Sequence, residues 1–182
     1  MISCMISQDE TKQSEGTPKN IESPVVFNRD TAPAYWLLDA LWVILVDGEQ
    51  SGGRFSIMEQ WVRGPGPGPP IHVHGFSDEC LYILDGQMEI QVGQKQMIAG
   101  AGQSVWIPRR TVHGFNVMSE VLHFLNSYTP ARFEQAVKGL AKPAERREIP
   151  PPMHDGHLIH KLQSNYWAAE AEDTWAATTL DR

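Results

Sequence analysis

The chain has 182 residues, of which 41% are hydrophobic and 20% charged, a composition typical of one globular domain rather than of a disordered polypeptide. Its formal net charge is −7, opposite in sign to the basic surface that tracks a phosphate backbone, so we expect no nucleic-acid partner. The longest apolar run, residues 36–46, is shorter than the roughly 20 residues that a membrane-spanning helix needs. We therefore expect no membrane span.

Residues 1–24 are rich in Ser, Thr, Gln, Lys and Glu and carry few apolar side chains. Such a segment cannot bury enough surface to offset the entropy lost on ordering, which predicts a flexible N-terminal arm. The segment also lacks the cationic start and the long apolar stretch of a secretory signal. We expect a cytoplasmic protein in which Cys4 and Cys80 stay reduced.

Residues 25–128 consist of short apolar runs separated by Gly, Asp and Pro and enriched in β-branched and aromatic side chains. This texture predicts an all-β sandwich or barrel. Within residues 88–92 apolar and polar side chains alternate, as in a strand with one buried face. The preceding pair, Asp85-Gly86, is typical of a hairpin turn.

Residues 129–182 are predicted to form a C-terminal helical extension. Pro130 is suited to a first helical position, and apolar residues recur at helical spacing from Phe133 to Leu140. The apolar residues within 153–182 predict a second amphipathic helix, which needs a surface to pack against.

Four residues are candidate metal ligands. His72 and His74 are separated by one residue, so on a strand both imidazoles point the same way, roughly 6.7 Å apart along the chain. The turn-forming residues 75–78 can then return the carboxylate of Glu79 to the two histidines, and a closed barrel would bring His113 alongside. Three imidazoles and one carboxylate suit Fe(II), Mn(II), Ni(II), Cu(II) or Zn(II), and the ligand types do not choose among them.

The other histidines are interpreted more simply. His123 lies alone on an apolar strand, where a histidine is usually satisfied by a neighbour. His154, His157 and His160 are spaced by three residues and would line one side of a helix. No Cys or carboxylate pair completes a metal site there, so we expect no site in the tail.

The residues around these histidines carry a family resemblance. The stretch GPGPPIHVHGFSDECLYILDG has the spacing G-x5-H-x-H-x4-E-x6-G of the first cupin motif. The stretch GQSVWIPRRTVHGFN resembles the second motif, with Gly102, Pro108 and His113 at the expected intervals. It departs from that motif at Arg110, where the family commonly has glycine, and at Asn116, which comes one residue early. From about residue 35 to residue 152 the chain resembles small single-domain cupins of the quercetin-dioxygenase-like kind.

The resemblance implies a double-stranded β-helix, the cupin jelly-roll barrel, commonly paired as a homodimer. It implies that His72, His74, Glu79 and His113 bind one divalent metal ion. The implied activity is a dioxygenase that cleaves a flavonol or a similar enolisable aromatic with O2, and in it Glu79 is the natural acceptor for the substrate's proton. A non-redox cupin lyase or isomerase and a non-catalytic small-molecule-binding cupin remain open alternatives.

Apolar and aromatic side chains are available to wall such a site. The candidates are Phe55, Ile57, Met88, Trp106, Phe115 and Phe124. They suit an aromatic or lipophilic substrate, although barrel interiors are filled with such residues whatever the function. Arg109 and Arg110 are interpreted as solvated loop charges, with contact to an anionic substrate as the alternative.

Overall fold

The computed structural model describes residues 24–152 and 156–162. The predicted N-terminal arm lies outside these ranges except for Pro24, as does most of the predicted tail. Among the described residues, no helix has both the length and the apolar character needed to cross a membrane.

The described residues form eleven strands and three short helices. In chain order they are β1 (Ala34–Leu37), β2 (Ala40–Val46), α1 (Gly48–Ser51), β3 (Ser56–Arg63), β4 (Gly66–Pro67), β5 (Asp78–Asp85), β6 (Gln87–Val92), β7 (Lys95–Gly100), β8 (Ser104–Ile107), β9 (His113–Val117), β10 (Val121–Thr129), α2 (Phe133–Leu140), β11 (Lys142–Pro143) and α3 (Gly156–Leu162).

The strands build two antiparallel sheets with the core between them. One sheet has the order β11-β1-β2-β3-β10-β5-β8, and the other has the order β4-β9-β6-β7. The buried cluster draws on both sheets, with Met58, Leu81 and Phe124 from the first and Met88 and Ile90 from the second. The predicted all-β jelly-roll architecture is confirmed.

Strand β6 shows how well local patterning predicts burial. Met88 and Ile90 are fully buried, whereas Gln91 between Ile90 and Val92 is exposed, as the alternation predicted. A two-residue loop at Gly93-Gln94 then joins β6 to β7, because Val92 pairs with Lys95.

The hairpin predicted at Asp85-Gly86 is wrong. Strand β5 pairs with β10 and β8, whereas β6 pairs with β7 and β9, so Gly86 carries the chain from one sheet to the other. Its φ is +86°, and a Cβ atom here would lie 2.3 Å from the carbonyl oxygen of Val121. Glycine is therefore required by the sheet crossing rather than by a hairpin.

Helix α2 begins at Phe133, so the prediction that Pro130 opens it is wrong. The connection after β10 is held in a non-helical path, because Ser77 Oγ donates to the Pro130 carbonyl at 2.8 Å and the Ala131 amide donates to Gly53 at 3.1 Å. The predicted apolar spacing within the helix is correct, and Phe133 and Val137 are buried. The second predicted helix is represented by α3, whose Leu162 joins the core cluster.

Candidate metal centre

A short backbone pairing brings the first and the last of the four predicted residues together. The His72 amide donates to the His113 carbonyl, and the His113 amide donates to the His72 carbonyl, both at 2.9 Å. The two imidazole centroids are consequently only 4.3 Å apart. The ring of His74 lies 4.9 Å from that of His72 and 5.2 Å from that of His113.

Glu79 reaches the histidines from the start of β5, after the turn that the sequence predicted. Its Oε2 atom lies 3.0 Å from Nε2 of His113 and 3.3 Å from Nε2 of His74. One potential ligand atom from each of the four residues falls within 4.8 Å of the others. The structure thus brings together all four residues that the motif spacing selected.

Backbone carbonyls orient two of the imidazoles. Nδ1 of His72 lies 2.7 Å from the Pro70 carbonyl oxygen, and Nδ1 of His113 lies 2.8 Å from the Thr111 carbonyl oxygen. Because a carbonyl oxygen only accepts, Nδ1 of each ring carries the proton, and Nε2 of the neutral ring presents a lone pair to the centre. This is the tautomer that a histidine ligand needs.

The environment favours neutral imidazole beside ionised carboxylate. Burial, reinforced by the neighbouring His113 and His74, lowers the pKa of His72 to about 3. Burial alone would raise the pKa of Glu79, but the contacts of His113 and His74 with its carboxylate outweigh it and hold the pKa well below the usual value. Both residues are therefore in the protonation states of metal ligands near neutral pH.

The donor set fits a cation. Glu79 Oε2 and His113 Nε2 are buried, and among the described residues their close polar contacts are their 3.0 Å approach to each other and the 3.3 Å approach of Oε2 to His74 Nε2. Because Nδ1 of His113 faces the Thr111 carbonyl, its Nε2 atom can act as a ligand beside Glu79 Oε2. A divalent transition metal ion would satisfy both atoms at once.

The sequence did not reveal the residues that hold Glu79. Its other oxygen, Oε1, accepts hydrogen bonds from Asn126 Nδ2 at 2.8 Å and from the Tyr128 hydroxyl at 2.9 Å. The Tyr128 ring in turn stacks on Phe133 of α2, with centroids 5.0 Å apart. Glu79 therefore directs one oxygen to the histidines and keeps the other in a buried hydrogen-bond network. The only signal available in the sequence is the polar Asn126 at an inward position of the apolar strand β10.

The cluster opens into a small, mainly apolar cavity inside the barrel. The cavity has a volume of about 40 Å³, where one water occupies about 10–15 Å³ by the same measure. Its lining includes Leu38, Trp42, Val62, Phe115, Phe124 and Phe133. An open coordination position would therefore face a space that holds a few waters or a compact apolar group.

Two of the six predicted wall residues, Phe115 and Phe124, line this cavity. The other four do not, and they are Phe55, Ile57, Met88 and Trp106. Trp106 points out of the barrel with 65% of its surface exposed. Met88 is buried in the core but does not reach the cavity, whereas for Trp106 strand alternation without a known register does not reveal which face is inward.

The two arginines before His113 have structural roles. Arg109 binds both carboxylate oxygens of Asp78, at 3.1 and 3.0 Å, and so ties its loop to the start of β5. Arg110 adopts a left-handed backbone with φ of +63°, and its amide donates to the His74 carbonyl at 2.7 Å. That conformation explains why glycine is common at this position of the motif.

Among the remaining histidines, the expectation for His123 is confirmed. Nε2 of His123 lies 2.7 Å from Glu59 Oε1, and its ring stacks on Trp61 at 4.3 Å, which confirms a satisfied histidine. His160 is exposed on α3. His154 and the side chain of His157 lie outside the described residues.

A histidine–glutamate cluster inside a double-sheeted antiparallel barrel defines a class of small jelly-roll proteins. The family model of the cupin domain matches residues 60–128, which contain all four cluster residues. Residues 60–128 therefore match the cupin domain in sequence.

Comparison with known proteins gives a similar result. Quercetin 2,3-dioxygenase of Bacillus subtilis is 23% identical over 108 residues, which cover 59% of this chain. The match spans 32% of that enzyme's length, so the chain corresponds to about a third of the curated relative.

Solved structures resemble this chain in fold. KdgF from Halomonas sp. superposes with a TM-score of 0.55 at 13% identity, covering 62% of this chain and 99% of that protein. A predicted oxalate decarboxylase from Thermotoga maritima gives a TM-score of 0.54 at 15% identity, covering 58% and 99%. At these identities the likeness concerns the fold alone.

Proposed function

We propose that this cupin is a metal-dependent dioxygenase that acts with O2 on a flavonol or a similar enolisable substrate, aromatic or otherwise lipophilic. The observation that carries the proposal is the convergence of four ligand atoms within 4.8 Å beside a cavity walled by apolar side chains. The similarity to quercetin 2,3-dioxygenase supports the choice of reaction. His72, His74, Glu79 and His113 are the proposed ligands, and Fe, Mn, Ni, Cu or Zn the candidate metals.

A divalent ion bound by these residues would supply Lewis acidity that lowers the pKa of an enolic hydroxyl. The protein's own part begins with the cavity walls, because Phe115 and Phe124 exclude water and hold an apolar ring. Glu79 is the proposed proton acceptor, and its Oε2 atom faces the site while Oε1 is held by Asn126 and Tyr128. Because Oε2 is also the oxygen directed at the metal ligands, taking up the proton there would require it to loosen from the metal, while the hydrogen bonds to Oε1 would hold the side chain in place.

The volume of the cavity bears on substrate size. A space of about 40 Å³ between the packed side chains means that any ring substrate, a flavonol or a smaller one, needs the walls to move. The flavonol and a similar enolisable aromatic both stay proposals.

A non-redox lyase or isomerase is the second candidate. The donor set favours it to the same degree, because three imidazoles and one carboxylate also suit zinc, which has no redox chemistry. The two candidates differ in whether O2 is consumed. The homodimer implied by the resemblance stays a prediction, which a mass measurement in solution tests.

The deciding experiment loads the protein separately with Fe, Mn, Ni, Cu, Co and Zn, measures bound metal, and follows O2 uptake with a panel of enols and flavonols. The dioxygenase predicts one bound ion and uptake with a redox-active metal. Turnover without O2 and with zinc would favour the second candidate. A loaded protein that binds substrates without turnover would indicate a binding cupin, and a protein that binds no transition metal would contradict the proposal. His113→Ala serves as the site-depleted control, with His123→Ala as the matched histidine outside the site.

A further inference from the structure

One polar side chain in the cavity has no role in the metal centre. Gln60 lies on β3 with its side chain directed inward, and only 3% of it is exposed. In the sheet register it is opposite Trp42 on one side and Phe124 on the other, and both aromatic residues also line the cavity. The Gln60 amide is therefore a polar group set in an aromatic wall.

Other polar side chains of the lining are already accounted for. His72, His113 and Glu79 form the cluster, while Asn126 and Tyr128 hydrogen bond to the Glu79 carboxylate. Trp42 donates its indole N–H to the Leu37 carbonyl at 3.0 Å. By contrast, Gln60 Nε2 is buried and has no hydrogen-bond partner among the described residues.

A buried amide without a partner destabilises the fold, so its presence in an apolar wall calls for a ligand that satisfies it. A second unpaired atom lies close by, the acceptor Oδ1 of Asn126, whose orientation is fixed because Nδ2 donates to Glu79. Asn126 is two residues beyond Phe124, the partner of Gln60, which makes the two amides diagonal neighbours on one face, with Cα atoms about 7–8 Å apart.

We infer that Gln60 is a specificity-determining residue that hydrogen bonds to a second oxygen of the substrate, remote from the oxygen at the metal centre. A hydroxyl suits this place best, because it accepts from Gln60 Nε2 and can donate to Asn126 Oδ1. The substrate class narrows to an enol that carries a further hydroxyl or carbonyl group. This inference rests on the proposed function, since it presumes a substrate bound at the metal.

The test uses zinc-loaded protein and two probes that differ in one atom group. Kojic acid and allomaltol share the same enolic hydroxyketone, but kojic acid carries a hydroxymethyl where allomaltol has a methyl. We expect wild-type protein to bind kojic acid about 3- to 10-fold more tightly, the effect of one net hydrogen bond. In Gln60→Leu this preference is expected to shrink, because only Asn126 Oδ1 is left to bond the hydroxyl, while the Kd of allomaltol changes less than twofold.

Thermal unfolding provides the second readout. Because Gln60 Nε2 has no partner to lose, Gln60→Leu and Gln60→Met are expected to keep or raise the Tm, whereas loss of a structural hydrogen bond lowers it. Gln91→Met, an exposed glutamine on β6, is the control.

The possible results distinguish failure of the inference about Gln60 from failure of the proposed function. Equal affinity of wild-type protein for both probes, a preference of undiminished size in Gln60→Leu, or a Tm that falls by several degrees overturns the inference and leaves the metal centre intact. Wild-type protein that binds neither zinc nor allomaltol overturns the inference together with the proposed function.

Discussion

The hydroxyl of Tyr128 donates to Oε1 of Glu79 at 2.9 Å, while Oε2 of the same carboxylate lies 3.0 Å from His113 Nε2. The two oxygens of one buried side chain are thus divided between a hydrogen-bond network and the candidate metal centre. Tyr128 is only 2% exposed and stacks on Phe133, so its position is set by packing as well as by the hydrogen bond.

The first prediction concerns this division. Tyr128→Phe keeps the ring stacking but removes one donor to Glu79, so the carboxylate is less firmly directed at the histidines. We expect metal affinity to fall about 10- to 100-fold, the usual effect of losing such an outer partner. Competition with a chelator measures it. Tyr82→Phe, at an exposed tyrosine on β5, is the matched control, and the same affinity in both variants would count against a positioning role for Tyr128.

The second prediction tests Glu79 as the proton acceptor. In Glu79→Gln the side chain keeps its size and can still offer an oxygen to a metal, but it no longer takes up a proton at neutral pH. Turnover is expected to fall about 10²- to 10⁴-fold, the range for loss of a general base, after rates are normalised to bound metal. Equal turnover at equal metal content would show that Glu79 is a ligand only.

The third prediction is a pH dependence of stability in the metal-free protein. Because the pKa of His72 falls to about 3 in the folded protein from an ordinary value of 6.5, the unfolded chain binds more protons between these two pH values. The free energy of unfolding therefore increases as pH rises from about 3 to 6.5, and the protein becomes less stable as pH falls through this range. The low pKa of Glu79 acts in the same direction below its ordinary value of 4.5.

Urea unfolding of chelator-treated protein at pH 5 and pH 7 measures this effect. His72→Gln removes one titrating group, so its free energy of unfolding should depend less on pH between 5 and 6.5, by up to about 1.4 kcal/mol per pH unit. A variant with the same pH dependence as wild-type protein would show that His72 is not buried in its neutral form.

The fourth prediction concerns Arg110. The left-handed backbone of Arg110 destabilises the folded state by about 1–2 kcal/mol, because its Cβ atom is crowded there. Glycine avoids this cost, but it loses more conformational entropy on folding, which offsets part of the gain. Arg110→Gly is therefore expected to raise the free energy of unfolding by about 0.5–1 kcal/mol in urea titrations. Arg110→Ala keeps the Cβ atom and should stay close to wild type. If alanine stabilises as much as glycine, the arginine side chain rather than the backbone is the source of the effect.

Some features were open to sequence reasoning because they depend on short separations along the chain. The one-residue spacing of His72 and His74, and the turn before Glu79, fix the relative directions of these side chains by strand geometry alone. The burial of Met88 and Ile90 follows from the same period of two. The place of His113 depended on the likeness to a known motif, because no local rule links it to residues so far upstream.

Other features depended on which strands pair. The pair Asp85-Gly86 predicts a hairpin turn, but β5 and β6 pair with strands of different sheets, so the chain crosses between the sheets at Gly86. The outward direction of Trp106 has the same origin, because its strand β8 pairs with β5 in a register that places it opposite Cys80.

The sequence by itself determined the ligand types and their approximate convergence, since both follow from residue identity and local spacing. Only the tertiary structure decided that Tyr128 and Asn126 hold Glu79 and that Gln60 faces the cavity. A shift of one residue in register turns every side chain of a strand to the opposite face, and register is set by contacts between distant segments. The side chains that orient the centre and select its ligand are therefore products of strand pairing.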